Sequence, residues 1–340
     1  MQKNKISKFL KNKKLLITGG TGSFGKTVLN KFLKTNIKEI IIFSRDERKQ
    51  EDLRNKIKNN KVKFILGDVR NFDSLDNAMK GVDYVFHAAA LKQVPSCEFH
   101  PWEAYRTNII GTENTINAAI KNRIKKFILL STDKAVYPIN TMGMTKAIAE
   151  KILLARAGTV NKKSTILCIT RYGNVMGSRA SVIPRFINLA NKNSPLTVTD
   201  IRMSRFMMSL DSSVNLVFHA LINGKQGDTF VQKSPACKII DLAKAIEIFL
   251  KKKTKINIIG SRHGEKLNET LVSHEEMSNT KETKDHFVIK KDNRGLIYEL
   301  YERQGNKKRI KLSDYNSDNT IQLSIRQIVK LLHSIDIDLD

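Results

Sequence analysis

Short apolar runs punctuate the first half of the chain at 14–18, 39–43, 62–66, 83–87, 125–130 and 165–170. Between them, apolar residues fall at helical spacing over 24–34, 46–58, 73–79, 103–121 and 141–157. Continuous apolar runs bounded by turn residues suit strands covered on both faces. Their alternation with helices is the pattern of a parallel sheet wound with helices. The fold class this predicts is α/β, a Rossmann-type doubly wound parallel sheet with a smaller α/β lobe. Residues 171–210 are richer in Ser, Arg, Met and Pro and read as loops around a ligand. A helix at 211–223 and a strand at 228–232 then return to the first unit, followed by a helix at 240–252, a strand at 255–259 and a last helix at 323–334. The polar stretch 278–319 has little periodicity and reads as an excursion, packed on a neighbouring subunit or mobile. The expected division is 1–170 with 211–234 as one domain, and 171–210 with 235–340 as a second lobe and tail.

Composition narrows the class. With 340 residues, 41% hydrophobic and 27% charged, the chain is long enough for two lobes and reads as soluble and globular. No apolar run approaches the roughly 18–20 residues of a spanning helix, so no membrane span is expected. Residues 1–14 are lysine-rich without a secretory apolar centre. Three widely spaced cysteines, Cys97, Cys168 and Cys237, argue against a disulfide framework and a metal site. The cytoplasm is the expected compartment. The net charge of +27 is spread over every element and lacks a nucleic-acid-binding motif, so it reads as solvated lysine, with no nucleic-acid partner.

The stretch 14–25 organises the chemistry. The run Leu15-Leu16-Ile17 ends in a turn, Thr18-Gly19-Gly20-Thr21-Gly22-Ser23-Phe24-Gly25, and a helix follows. Gly19 permits the turn, Gly22 leaves room for a pyrophosphate, and Gly25 lets the helix approach the sheet. The helix N-terminus then meets the phosphates with unpaired N–H groups. After the second strand, Ser44 and Arg45 stand where an adenosine ribose would lie. Arginine suits a 2′-phosphate, and Asp46 reads as a helix cap, so NADP is favoured over NAD. Asp68 and Val69 follow the third strand, with Asp68 offering a carboxylate to adenine. Ala88, Ala89 and Ala90 follow the fourth and let a cofactor lie close. His87 reads as a packed strand-end residue. The fifth strand ends in Ser131-Thr132-Asp133-Lys134, at the carboxyl edge where parallel sheets bind ligands. A hydroxyl, a carboxylate and an amine together suit acid–base work. Lys146 shares a helix face with Met142, four residues earlier.

These motifs resemble the extended short-chain dehydrogenase/reductase superfamily, and within it the UDP-N-acetylglucosamine 4,6-dehydratases that invert C5. The likeness covers essentially the whole chain. It includes His87-Ala88-Ala89-Ala90-Leu91-Lys92, Arg171-Tyr172-Gly173-Asn174-Val175, Thr199-Asp200-Ile201-Arg202-Met203 and Arg262-His263-Gly264-Glu265-Lys266. Val94 to Pro101 and Tyr137-Pro138-Ile139-Asn140 resemble the capsule and O-antigen branch, which starts the route to UDP-N-acetyl-L-fucosamine.

The resemblance implies oxidation at C4 by NADP⁺, loss of water from C6 and protonation of C5 on the opposite face, with C3 epimerisation as a further option. Asp133 would be the acid at C6 and Lys134 the base at C5, provided that its pKa is lowered. Thr132 would hold the C4 oxygen and Lys146 the nicotinamide ribose. Asn174 and Arg205 would bind the diphosphate, Arg262 a phosphate and Glu265 the uridine ribose, with Lys92, Ser178 and Arg179 as further substrate contacts. A homo-oligomer such as a hexamer is also implied. One departure stands out: where the superfamily carries Tyr-x-x-x-Lys, this chain has Met142-Gly143-Met144-Thr145-Lys146, as the capsule branch does. A thioether cannot carry a proton. Asp133, Lys134 or a bound water is then left to accept the C4 hydroxyl proton. Competing readings are a 4-epimerase of the same fold, a non-catalytic NADP-sensing protein and, last, a nucleic-acid binder.

Overall fold

The computed structural model describes residues 2–160, 164–177, 181–292, 299 and 312–335. The apolar runs become β1 (Lys14–Thr18), β2 (Glu39–Ser44), β3 (Val62–Leu66), β4 (Tyr84–His87), β5 (Lys126–Thr132) and β6 (Ile166–Tyr172). They pair in parallel in the order β3-β2-β1-β4-β5-β6. The order reverses between β1 and β4, which opens the crevice that such sheets use for ligands. Helices cover both faces, giving one apolar cluster around Leu15, Ile17, Phe32 and Phe86 and another around Leu16, Phe43, Phe127 and Leu153. The architecture is the Rossmann type expected.

Past β6 come β7 (Leu196–Val198), β8 (Ser204–Phe206), β9 (Thr229–Gln232), β10 (Ala236–Lys238), β11 (Ile256–Ile258), β12 (Thr270–Val272), β13 (Thr280–Glu282), β14 (His286–Ile289) and β15 (Tyr315–Asn316). β9 joins β6 in parallel. β14 then pairs antiparallel with β9, and β13 with β14. Two strands within the stretch read as an excursion, β13 and β14, thus extend the main sheet, which has nine strands among the described residues. The second lobe holds three two-stranded ladders, β7 with β11, β8 with β10 and β12 with β15. Its core packs Ile183, Phe186, Met203, Met207, Leu242 and Leu332 together, so Met203 and Met207 serve packing. Part of the region read as ligand loops is a helix, Val182–Asn191, burying Ile183, Phe186, Ile187 and Ala190 on one face. Pro184 is compatible with it because the first turn needs no N–H from that residue.

Among the described residues, no helix is long and apolar enough to cross a membrane, and no cluster of His, Cys, Asp and Glu could hold a metal ion. All three cysteines are free and buried.

Candidate active site

The glycine turn has the shape that its sequence implies. Gly19 has φ +67°, and a Cβ there would lie 2.8 Å from the Ala89 backbone. A Cβ on Gly25 would lie 2.5 Å from the Gly20 Cα. At Gly22 a Cβ would meet only the Gly19 carbonyl, at 3.4 Å, and no side chain caps the helix Ser23–Leu33. The cradle therefore fits a pyrophosphate set against a bare helix N-terminus. Thr21 is buried beside it, and Phe24 packs on Phe86 and Tyr172, fastening the helix to the sheet. Thr18 Oγ1 accepts from the Ala88 and Ala89 N–H groups, which ties the glycine turn to the alanine segment after β4. His87 is fully buried between Thr18 Oγ1 (2.8 Å) and Thr112 Oγ1 (3.2 Å). Burial and the neighbouring Lys146 push it down to about 3, so it stays neutral and structural.

At the far end of the crevice, Asp46 caps the helix Glu47–Ile57 by accepting from Lys49 N–H. Ser44 Oγ accepts from Gln50 Nε2 at 3.1 Å. Arg45 is exposed and lies 3.8 Å from Asp68, whose carboxylate Arg70 grips in a fork. Val69 sits in the apolar core, so only its backbone can face a ligand.

Asp133 and Lys134 line a cleft of about 330 Å³ between the sheet and the second lobe, with Thr132 directly before them in the chain. Thr132 Oγ1 donates to Asp133 Oδ1 at 2.8 Å, and Lys134 Nζ donates to both Asp133 oxygens at 3.2 and 3.1 Å. Asp133 is 1% exposed. The C5 base was expected to need a lowered pKa, and here the structure differs. Burial opposes the charge on Lys134, but Asp133 and Glu269 outweigh it and hold the amine above its ordinary value. Burial lowers Lys266, which lines the cleft, and also Lys146, bringing the latter down to about 8 against partial support from Glu150. Lys146 Nζ donates to Leu130 O at 2.6 Å.

Gly143 allows this approach, since a Cβ there would run into the Lys134 carbonyl. Asn140 caps the helix Thr141–Thr159 and donates to Gly264 O at 2.8 Å, linking this helix to the 262–266 loop. Met142 is buried with Cys97 and Ala104, away from the cleft lining, and acts as packing rather than as a catalytic group. Tyr137 does not replace the missing tyrosine. It turns outward at φ +46° and donates to Asp314 Oδ1 at 3.1 Å.

Of the expected sugar-nucleotide contacts, Asn174, Arg205, Arg262 and Glu265 line the cleft. Asn174 accepts from Lys134 Nζ at 3.4 Å. Arg205, expected at the diphosphate, is instead saturated within the protein. Its donors go to Ser204 O, Leu267 O, Lys266 O and Met203 Sδ, with Glu265 and Glu269 closing the set. It shapes the loop rather than offering a free fork. Lys92 is exposed and does not line the cleft. Ser178 and Arg179 lie outside the described residues. Two residues were missed. Arg185 reaches the cleft from the helix Val182–Asn191, donates to Thr197 Oγ1, and has its pKa lowered by partial burial and by Arg262. Glu269, 2% exposed, lies 3.7 Å from Lys134 Nζ.

Glycine turn, switch-point crevice and the acid–amine pair at the end of β5 stand on a Rossmann-type fold, the class that binds nucleotides at this edge of the sheet. Residues 15–291 match the polysaccharide biosynthesis protein family and 292–337 its C-terminal region, and the chain belongs to that family. It is 55% identical over 329 residues to a protein named UDP-glucose 4-epimerase from Rickettsia rickettsii, covering 96% of each chain. The crystal structure of Pen from Bacillus thuringiensis is 39% identical with a TM-score of 0.86, covering 96% of this chain and 99% of that one. A UDP-glucuronic acid 4-epimerase from Bacillus cereus, solved with UDP-glucuronic acid and NAD, shares the fold at 22% identity and TM-score 0.68, over 75% of this chain and 88% of that one.

Proposed function

We propose that the protein is a UDP-N-acetylglucosamine 4,6-dehydratase that inverts C5, working in polysaccharide synthesis with NADP. The observation that carries this reading is the Asp133–Lys134 pair in the cleft, its carboxylate buried and its amine partly exposed. Simple inversion at C4 has no use for an acid at C6 or a base at C5. A bound nicotinamide supplies reversible hydride acceptance. Thr132 orients the C4 oxygen, Asp133 hands a proton to the departing C6 hydroxyl, and Lys134 takes the C5 proton. The Lys146 ammonium sits where its charge favours oxidation, and Arg185 with Arg262 forms the cationic end that a diphosphate bridges. Glu265, with Oε2 unpartnered among the described residues, suits a ribose diol. NADP is supported at the tip of β2, where Asp46 is committed to its helix and Arg45 is left exposed.

The name carried by the Rickettsia relative favours a second reading, 4-epimerisation of a UDP-hexose. Mass spectrometry of the product from UDP-N-acetylglucosamine separates the two. Loss of one water supports the dehydratase, and unchanged mass with a new C4 configuration refutes it.

A further inference from the structure

Oxidation at C4 releases a hydroxyl proton, and Met142 cannot take it. Under the dehydratase reading, on which this inference rests, elimination needs Asp133 protonated and Lys134 neutral at the same moment. With Asp133 ionised and Lys134 charged, the pair holds one proton, and the C4 hydroxyl adds a second. Shared between these two groups alone, the protons would occupy both, and the amine would be blocked. A third carrier beside the pair, a side chain or a bound water, removes the block.

Glu269, directly ahead of β12, has the position for it. Its Oε2 accepts from Phe206 N–H at 3.2 Å. Its Oε1 is buried without a hydrogen-bond partner among the described residues, 3.7 Å from Lys134 Nζ and 3.3 Å from Arg205 Nε. Thr132, Asp133, Lys134 and Glu269 thus form a line leading from the expected C4 oxygen to an unused carboxylate oxygen in the same cleft. We propose that Glu269 is the proton store that replaces the missing tyrosine, acting through Lys134 as a positioning residue.

With a nicotinamide bound that would take the C4 hydride and give it back at C6, the C4 O–H bond breaks and its proton passes by Thr132 to Asp133. A Lys134 N–H bond breaks and a Glu269 O–H bond forms. Two protons are then held, one on Asp133 and one on Glu269, and the amine is neutral. Elimination returns a proton to Lys134 and spends that of Asp133 on the leaving water. The proton still on Glu269 matches the one that C5 must regain.

The groups facing Glu269 are Asp133 and Lys134 from the end of β5, Arg205 from β8, Cys237 from β10 and Lys266 from its own loop. Burial, with Asp133 adding repulsion, pushes Glu269 up to about 7 against Lys134 and Arg205. The store is open when Glu269 is ionised, so turnover falls as pH drops through about 7.

The test uses Glu269→Gln and Glu269→Asp in the full chain with NADP⁺ and UDP-N-acetylglucosamine. Glu269→Gln should still reduce the cofactor in a single turnover yet lose water at least about 100-fold more slowly. Glu269→Asp should restore water loss. In unsubstituted protein labelled with ¹³C-glutamate, one carboxyl signal, absent from the Glu269→Asp spectrum, should titrate near 7. This readout needs no turnover and stands even where Glu269→Gln fails to fold. Wild-type kcat in Glu269→Gln, or a Glu269 signal that titrates in the ordinary carboxylate range, overturns the proposal. Unchanged product mass from the unsubstituted enzyme refutes the dehydratase reading instead, on a separate measurement.

Discussion

Lys146 makes a stability argument that can be put to number. Its side chain is 6% exposed, and burial brings its pKa from 10.5 to about 8. At pH 7 the folded protein therefore carries a charge that the unfolded chain holds more comfortably. A difference of that size corresponds to about 3 kcal/mol against folding. Lys146→Met keeps the length of the side chain and removes the charge. It also gives up the bond to Leu130 O, costing about 1 kcal/mol. The net gain is about 2 kcal/mol, which for a chain of this size is roughly 3 °C in Tm. The sign with pH follows from linkage. Because the folded pKa lies below the unfolded one, wild-type stability rises as pH climbs from about 8 to 10.5, and the advantage of the variant shrinks over that window. Calorimetry of both proteins at pH 7 and pH 10 checks this, alongside a turnover assay in which Lys146→Met is inactive. A variant that melts below wild type at pH 7, or whose advantage grows with pH, refutes the reasoning.

Two further substitutions probe the rest of the molecule. Arg171 bonds both Glu150 and Glu276 and donates to Leu271 O, joining the helix Thr141–Thr159 to the second lobe; Arg171→Met leaves a buried carboxylate unpaired and should cost about 3–5 kcal/mol in urea unfolding, partly recovered by adding Glu150→Gln. Arg185→Ala should raise KM for the sugar nucleotide about tenfold with little change in Tm, whereas Arg205→Ala should lower Tm, because its donors hold the 265–269 loop. Equal effects on KM and Tm in both variants would contradict that division.

Strands such as β1 and β5 were legible because they are covered on both faces and so read as unbroken apolar runs, whereas the edge strand β3 leaves Lys63 and Leu66 exposed. Leu15-Leu16-Ile17 and Phe127-Ile128-Leu129 are fully buried. The ladders of the second lobe were not, since two or three residues such as Ser204–Phe206 are too few to set a period. β14 was hidden in a lysine-rich stretch, where Phe287, Val288 and Ile289 are its only apolar signal. In the site, Asp133, Lys134 and Lys146 were singled out from motifs, but the upward shift on Lys134 comes from its neighbour Asp133 together with Glu269, which is distant in sequence. Glu269 stands among polar residues with no pattern of its own, and only its burial beside Lys134 gives it meaning. Arg205 shows the opposite case. Its type suits phosphate, but backbone carbonyls of the 266–267 segment claim it first.

The position of β14 has a consequence for biogenesis. The open flank of β9 is closed by a segment that leaves the ribosome nearly sixty residues later, at 286–289. Until then the growing polypeptide presents Phe230 and Val231 on an unpaired, apolar border, the kind of surface that recruits other chains. Translation pauses or truncations between 232 and 286 therefore create an aggregation-prone nascent species, and holdase chaperones have a defined window in which to act.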